Sequence, residues 1–247
     1  MIRATLLQQS SNGRLEPETK SLSIGLANRR IPCSFFLEKR LARRQVALRR
    51  DTLVAGHIPV VLGALRQLGI EPPEPNDYPE CLRPWLYRRI WKSVVRDVVA
   101  RLQVGDSRPF FGKPLDRHKR FRGHVFESWD DLRALGGVSD RAAVLCSDVV
   151  VWKSEYRFYV VRGKIVGMGH YAGDPKCLVD QGQVEAAVAL FAESGEAPGG
   201  YGIDFGVLST GQTALVEVND GYSLGSYGLD DDLYTELIVT RWLELTA

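Results

Sequence analysis

Residues 202–227 constrain this chain more than any other stretch. Two runs rich in β-branched and aromatic residues, 203–208 and 213–218, flank Ser209-Thr210-Gly211-Gln212, and that pattern predicts an antiparallel hairpin. A two-residue or a four-residue loop gives the same register, with Leu208 opposite Thr213 and Asp204 opposite Glu217. Side chains alternate along a strand. Ile203, Phe205, Val207, Val216 and Val218 therefore take one face, and Asp204, Glu217 and Asn219 take the other. Two carboxylates directly opposed in a ladder repel, and a divalent cation would offset that repulsion. An all-oxygen set without His or Cys suits a hard ion, Mg²⁺ ahead of Zn²⁺. Three protein oxygens leave coordination positions open, the arrangement found where Mg²⁺ also carries phosphates. On this reading Asp204→Asn or Glu217→Gln leaves the ligand-free protein as stable as before or slightly more so. The alternative is an ordinary exposed hairpin face whose acids are solvated.

Charge is unevenly spread along the chain. From Glu185 onward there are eleven acids and one base, Arg241, whereas residues 29–50, 83–101 and 108–122 are strongly basic and the formal net charge is only +2. A basic half and an acidic half suit a metal–polyphosphate ligand, bases for phosphate and acids for the cation; two solvated faces of opposite sign would look the same. The basic segments also allow a nucleic-acid reading, which predicts binding that falls steeply with salt. It ranks last, because aromatic residues are sparse among those segments. The 247 residues can build one large domain or two modest ones. The longest apolar stretch, 53–65, holds His57 and Pro59 and is too short to span a membrane. No basic segment followed by an apolar run marks the N-terminus, so a cytoplasmic location is expected. Cys33, Cys81, Cys146 and Cys177 form no C-x-x-C pair and read as reduced packing residues.

Strands are expected at 2–9, 31–36 and 53–55, with another over 40–50 on the weak alternation of Leu41, Val46 and Leu48. His57 to Leu68 predicts a helix, with Pro59 in its first turn and Gly69 as its stop. Residues 20–29 fit either helix or strand. The strand–glycine–helix order suggests a small α/β domain over residues 1–78, without a phosphate-binding glycine fingerprint. The proline-rich segment 71–79 reads as a linker. After it, Leu82, Leu86, Ile90, Val94, Val95, Val98, Val99 and Leu102 fall at helical spacing. They predict one long amphipathic helix to about Gln103, with Arg88, Arg89, Lys92 and Arg96 on its other face. A short helix over 129–135 has Ser128 as its N-cap, and residues 142–152 read as a buried strand interrupted at Ser147-Asp148. A hairpin turns at Arg162-Gly163, and helices follow at 183–193 and 233–245.

Two further groups could bind phosphate. Lys113 leaves a strand beside a cationic loop, 115–123, that contains Lys119 and Arg120 and ends at Gly123; no G-x-x-x-x-G-K-[ST] motif is present. Glu155, Arg157 and Tyr159 share one face of a strand, and a guanidinium beside a carboxylate can clamp a phosphate or a substrate carboxylate. Each group alone is common: basic loops and same-face ion pairs occur on many proteins.

The order of these pieces is informative. A lysine strand with a basic loop precedes a buried strand with a hinge, then a Glu-Tyr-Arg strand, then an Asp strand paired with Glu217-x-Asn219. This resembles the ATP-grasp superfamily over roughly residues 79–245. More narrowly, it resembles the small, divergent bacterial and phage ATP-grasp proteins marked by a set of arginines and lysine and a Glu-x-Asn end. The stretch from Glu217 to Gly228 is the most specific part of the match.

The resemblance implies an α+β ATP-grasp fold, two subdomains at about 79–145 and 146–247 closing on ATP, preceded by the small α/β domain. Adenine would lie near Ser147, Asp148, Val149 and Val150. Lys113 would hold phosphates under the loop with Lys119, Arg120 and Gly123. Arg157 would contact the γ-phosphate or an acyl-phosphate, beside Glu155, and Asp204, Glu217 and Asn219 would carry Mg²⁺. The implied activity is carboxylate–amine ligation through an acyl-phosphate, on a small molecule or on a peptide or protein. An ATP-binding assembly or regulatory protein that forms no bond is the alternative. Many ATP-grasp ligases carry a further arginine where this chain reads Met168-Gly-His-Tyr171, and Lys176 is the candidate to replace it. Lys153 is the candidate for a second phosphate lysine.

Overall fold

The computed structural model describes residues 2–104, 108–115 and 121–247. The chain divides into two compact units, one formed by the residues up to Trp85 together with those from Trp152 on, the other by Leu86–Val151.

The first unit opens with β1 (Ala4–Gln8), α1 (Pro17–Asn28), β2 (Cys33–Phe36), α2 (Glu38–Ala42), β3 (Thr52–Ala55) and α3 (Ile58–Gln67). Its three strands are parallel, in the order β2–β1–β3. Pro17 at the first helical position settles residues 20–29 as helix. The strand expected over 40–50 is not formed. Leu41 is buried by the short α2 instead, and Arg44 turns the chain at φ 55°. The gaps between Leu41, Val46 and Leu48 are five and two residues, which is no period-2 repeat.

A 3₁₀ turn over Glu80–Trp85 ends this part of the first unit. The second unit comprises β4 (Ile90–Val94), α4 (Val95–Gln103), β5 (Phe110–Pro114), β6 (His124–Phe126), a 3₁₀ segment Trp129–Leu135 and β7 (Ala143–Asp148). The long helix predicted from Leu82 is thus only its last nine residues. Pro84 interrupts the N-terminal part, Tyr87 sits at φ 49°, and residues 90–94 pair antiparallel with β7. Pairing decided against the 3.6-residue pattern. The sheet runs β4–β7–β5–β6, and Val95, Val98, Phe110, Phe126, Val144 and Cys146 form its core. Ser128 does open the following 3₁₀ segment: its N–H donates to the Asp131 carboxylate at 2.8 Å.

The remainder of the first unit is β8 (Trp152–Val161), β9 (Lys164–Gly173), α5 (Gln181–Glu193), β10 (Gly200–Leu208), β11 (Thr213–Asp220) and α6 (Asp231–Leu245). All neighbouring strands are antiparallel in the order β11–β10–β8–β9. Arg162 and Gly163 both take positive φ, at 47° and 74°, the two-residue hairpin turn that the sequence predicts. The parallel sheet does not have a core of its own. Leu7, Leu53, Val61 and Leu65 pack in one cluster with Tyr159, Leu224, Leu237 and Trp242, so α6 joins the N-terminal segment to the antiparallel sheet.

In the β10–β11 hairpin Asp204 pairs with Glu217 as expected, but Val207, not Leu208, pairs with Thr213. The register shifts after Asp204, and Phe205 faces Leu215. Val216 is the extra residue of this bulge, half-buried, while Leu215 takes the core position expected for Val216. Among the described residues no helix is long and apolar enough to cross a membrane, and all four cysteines are free.

Candidate functional site

Gly169, Arg157, Asp204 and Glu217 are paired in register across β9, β8, β10 and β11, so they share one face. Arg157 grips Asp204 with two hydrogen bonds, Nε to Oδ1 at 2.8 Å and Nη2 to Oδ2 at 2.7 Å. Both residues are buried, at 6% and 2% exposure. Asn219 stands one step along the same face, opposite Gly202. Its Nδ2 donates to Asp204 Oδ2 and to Glu217 Oε1, each at 3.2 Å. A Cβ on Gly202 would lie 3.1 Å from Arg157 Cδ, so the glycine lets the arginine stem cross β10.

The three oxygen-bearing side chains singled out from the sequence therefore meet. The opposed carboxylates are reconciled without a cation, because a guanidinium neutralises one and an amide bridges both. Asp204→Asn would both remove the charged partner of a buried arginine and relieve a carboxylate whose ionised form burial disfavours. Burial pushes the Asp204 carboxyl up to about 6 against the pull of Arg157, with Glu217 and Glu155 adding to the rise.

Glu155 lies on the same strand face as Arg157, opposite Gly206 and Ala172. The Tyr171 hydroxyl donates to its carboxylate at 3.0 Å. Tyr171 stacks on Tyr227 with ring centroids 5.1 Å apart, and Arg157 Cζ lies 5.1 Å from the Tyr227 ring centre. Burial, with Asp204 and Glu155 nearby, holds the Tyr171 phenol well above its ordinary range, so it stays a donor. Nothing in the sequence marks Tyr227 as functional, where it is one aromatic in a glycine-rich tail.

The second unit presents a different surface. Lys92, Leu145 and Lys113 are paired in register across β4, β7 and β5, and the adjacent row is Ile90, Ser147 and Phe111. Val144 and Cys146 turn into the core, so Leu145 and Ser147 point to the opposite face with the two lysines. Lys92 is the residue that sequence reasoning placed wrongly, on a helix. Ile90, Lys92 and Val94 share one strand face, and that mixed row carries no period-2 signal. Lys153, at the exposed start of β8, lies on the sheet of the other unit.

Gly123 packs on Phe111, whose ring carbon Cζ would lie 2.5 Å from a Cβ there. Lys119 and Arg120 lie outside the described residues. Asp148 is engaged by Arg89: Nη2 donates to Oδ1 at 2.9 Å, and Nε and the backbone N–H to Oδ2 at 3.0 Å. That contact holds the Asp148 carboxyl below its ordinary value. Val149, exposed, and Val150, half-buried, lead out of the second unit toward Trp152.

Among the described residues no group of three or more His, Cys, Asp and Glu side chains is arranged to hold a metal ion. Asp204, Glu217 and Asn219 supply two carboxylates and one amide. This donor set fits a hard cation whose remaining ligands come from phosphate and water.

An antiparallel sheet bearing an arginine–carboxylate–amide cluster and a smaller α+β unit with two lysines flanking Leu145 make up a chain with the ATP-grasp fold. D-alanyl-alanine synthetase A from Vibrio cholerae O1 biovar eltor str. N16961 has this fold (TM-score 0.62, 14% identity, 99% of this chain and 100% of that chain). So do D-cycloserine synthetase DcsG (TM-score 0.62, 12% identity, 98% and 100%) and a RimK domain protein ATP-grasp from Sphaerobacter thermophilus DSM 20745 (TM-score 0.55, 15% identity, 96% and 99%). At such identities the likeness is one of fold. Residues 85–237 match the family described as ATP-grasp domain, R-two-K clade family 2, and the chain belongs to that family. No curated protein matches the sequence.

Proposed function

We propose that this chain is a cytoplasmic, ATP- and Mg²⁺-dependent ligase that joins a carboxylate to an amine on a small molecule or on a peptide or protein. One observation carries the reading. In a chain of the ATP-grasp family, Arg157, Asp204, Glu217 and Asn219 touch one another on a single sheet face. Asp204, Glu217 and Asn219 would hold Mg²⁺, the Asn219 amide turning over to present its oxygen. The ion would neutralise charge on the transferring phosphoryl group. Lys113 and Lys92 bind the triphosphate, together with Lys119, Arg120 and Gly123 of the basic segment. Ser147, Asp148, Val149 and Val150 receive adenine. Asp148 does so through its backbone, because Arg89 occupies its carboxylate. Glu155, oriented by Tyr171, contacts the nucleotide, and Arg157 turns its remaining N–H groups to the γ-phosphate.

In the reaction a substrate carboxylate oxygen takes the γ-phosphoryl group and ADP leaves. The amine nitrogen then attacks the acyl carbon of the resulting acyl-phosphate, expels phosphate and loses a proton. Positioning and charge neutralisation suffice, and no side-chain nucleophile is required.

The test is linkage. At a ligand concentration near a hundred times Kd, Mg·ATP should stabilise the wild type by about 2.7 kcal/mol, read as a rise in Tm that Glu217→Gln abolishes. An unchanged rise in that variant would falsify the metal assignment. Phosphate release that depends on an added carboxylate and amine then separates a ligase from an ATP-binding assembly or regulatory protein.

A further inference from the structure

We infer that Tyr227 is a positioning residue, one that fixes the plane of the Arg157 guanidinium so that its outer edge meets the phosphoryl group. The inference rests on the phosphate role proposed for Arg157.

Tyr227 sits at φ 38°, in the left-handed region that a bulky aromatic residue adopts only when its surroundings force it. Those surroundings are explicit. Leu224 and Leu229 on either side are buried, the Tyr159 hydroxyl donates to Gly225 O at 3.0 Å, and Leu229 N–H donates to Ser226 O at 2.8 Å. Below, β9 makes room: a Cβ on Gly169 would lie 2.6 Å from Tyr227 O and 2.9 Å from Tyr227 Cβ.

Burying the ring is not what this geometry achieves, since Tyr227 remains 47% exposed. It brings one face of the ring over Arg157 and stacks the ring on Tyr171. The guanidinium is then held on two sides. Asp204 takes the Nε–Nη2 edge, and the electron-rich face of the Tyr227 ring lies 5.1 Å from the central carbon. Nη1 makes no hydrogen bond among the described residues, and its two N–H groups remain as donors beside the second N–H of Nη2. An arginine held this way meets a developing charge without reorganising.

A purely structural role makes the opposite forecast, which allows a clean test. Asparagine tolerates the left-handed region better than tyrosine. Tyr227→Asn should therefore keep or raise Tm while removing the ring. Tyr227→Gly is a second variant with the same freedom, and Tyr227→Phe keeps the ring without the hydroxyl.

With the full chain, titrate Mg·ADP and Mg·AMP-PNP and take the ratio of their Kd values, which reads the γ-phosphate contact. In Tyr227→Asn the ratio should fall about fivefold, the size of a cation–π contact, with ADP affinity kept within about twofold. Tyr227→Phe should retain the wild-type ratio. In the absence of ligand, hydrogen exchange at Arg157 Nε–H, followed by NMR, should quicken in Tyr227→Asn and not in Tyr227→Phe. An unchanged ratio and exchange rate in Tyr227→Asn, or an equal loss in Tyr227→Phe, overturns the inference. A wild type that binds neither nucleotide, or both equally, overturns the ATP reading beneath it. The ligand-free exchange rate still decides whether Tyr227 holds the guanidinium.

Discussion

The two four-stranded antiparallel sheets carry their charges in opposite ways. On β11–β10–β8–β9, charges of both signs are sunk into the surface and satisfy one another: Arg157 with Asp204, and Asn219 between Asp204 and Glu217. On β4–β7–β5–β6, Lys92 and Lys113 flank Leu145 in one row, exposed and half-buried respectively. The first arrangement ties stability to function, because any missing partner leaves a buried charge. The second separates them at Lys92, because an exposed lysine that keeps its ammonium near water can be lost with little cost to the fold.

Asp204→Ala is the strongest test of that contrast. It leaves Arg157 buried without its counter-charge and should destabilise the protein by about 3–5 kcal/mol, measured by chemical denaturation. Replacing both partners with apolar residues should recover most of the loss. A cost below about 1 kcal/mol for Asp204→Ala, the range of an exposed ion pair, would break the comparison.

Lys92→Ala and Lys113→Ala sharpen it from the other side. Each should weaken nucleotide binding about tenfold, a charged hydrogen bond's worth, while Tm stays where it was in Lys92→Ala. A tenfold loss from Lys92→Ala in particular would establish the β4 lysine as the second phosphate ligand. A drop in Tm in Lys92→Ala would contradict the separation.

The smallest effect is a pH slope. Asp204 binds its proton more tightly when folded, at about 6, than an ordinary carboxyl at 3.8. Between those values the native state holds more protons than the unfolded one, so stability falls as pH rises. The contribution is complete below the lower value, is lost through the upper one, and is flat beyond. The difference in stability between wild type and Asp204→Asn, followed from pH 4 to pH 7, should carry this slope. The two lysine variants should keep the wild-type profile.

Much of the acidic face is legible directly in the chain. The alternation of Asp204, Glu217 and Asn219 with apolar neighbours survives a one-residue bulge, because the bulge falls at Val216, between the turn and the acids. Glu155 and Arg157 fall on one face for the same reason. The lysine face is half legible. Lys113 follows an apolar run, but Lys92 sits in a stretch whose apolar residues happen to match a helix, and only pairing with β7 decided for a strand. Leu41 shows the same limit, since a weak pattern yields to whichever packing buries one side chain.

By itself, the sequence determined what depends on neighbours along the chain: strand faces, the Arg162-Gly163 turn, the Ser128 start of the 3₁₀ segment, and the set of oxygen and nitrogen donors available. Those follow from backbone geometry repeated every two or 3.6 residues. Only the tertiary structure decided which donors satisfy each other. That Arg157 meets Asp204, that Tyr227 is pressed over the guanidinium, and that Asp204 therefore loses its water are consequences of three strands and a distant loop converging. The strength of a charge contact is set by that enclosure and not by the order of residues.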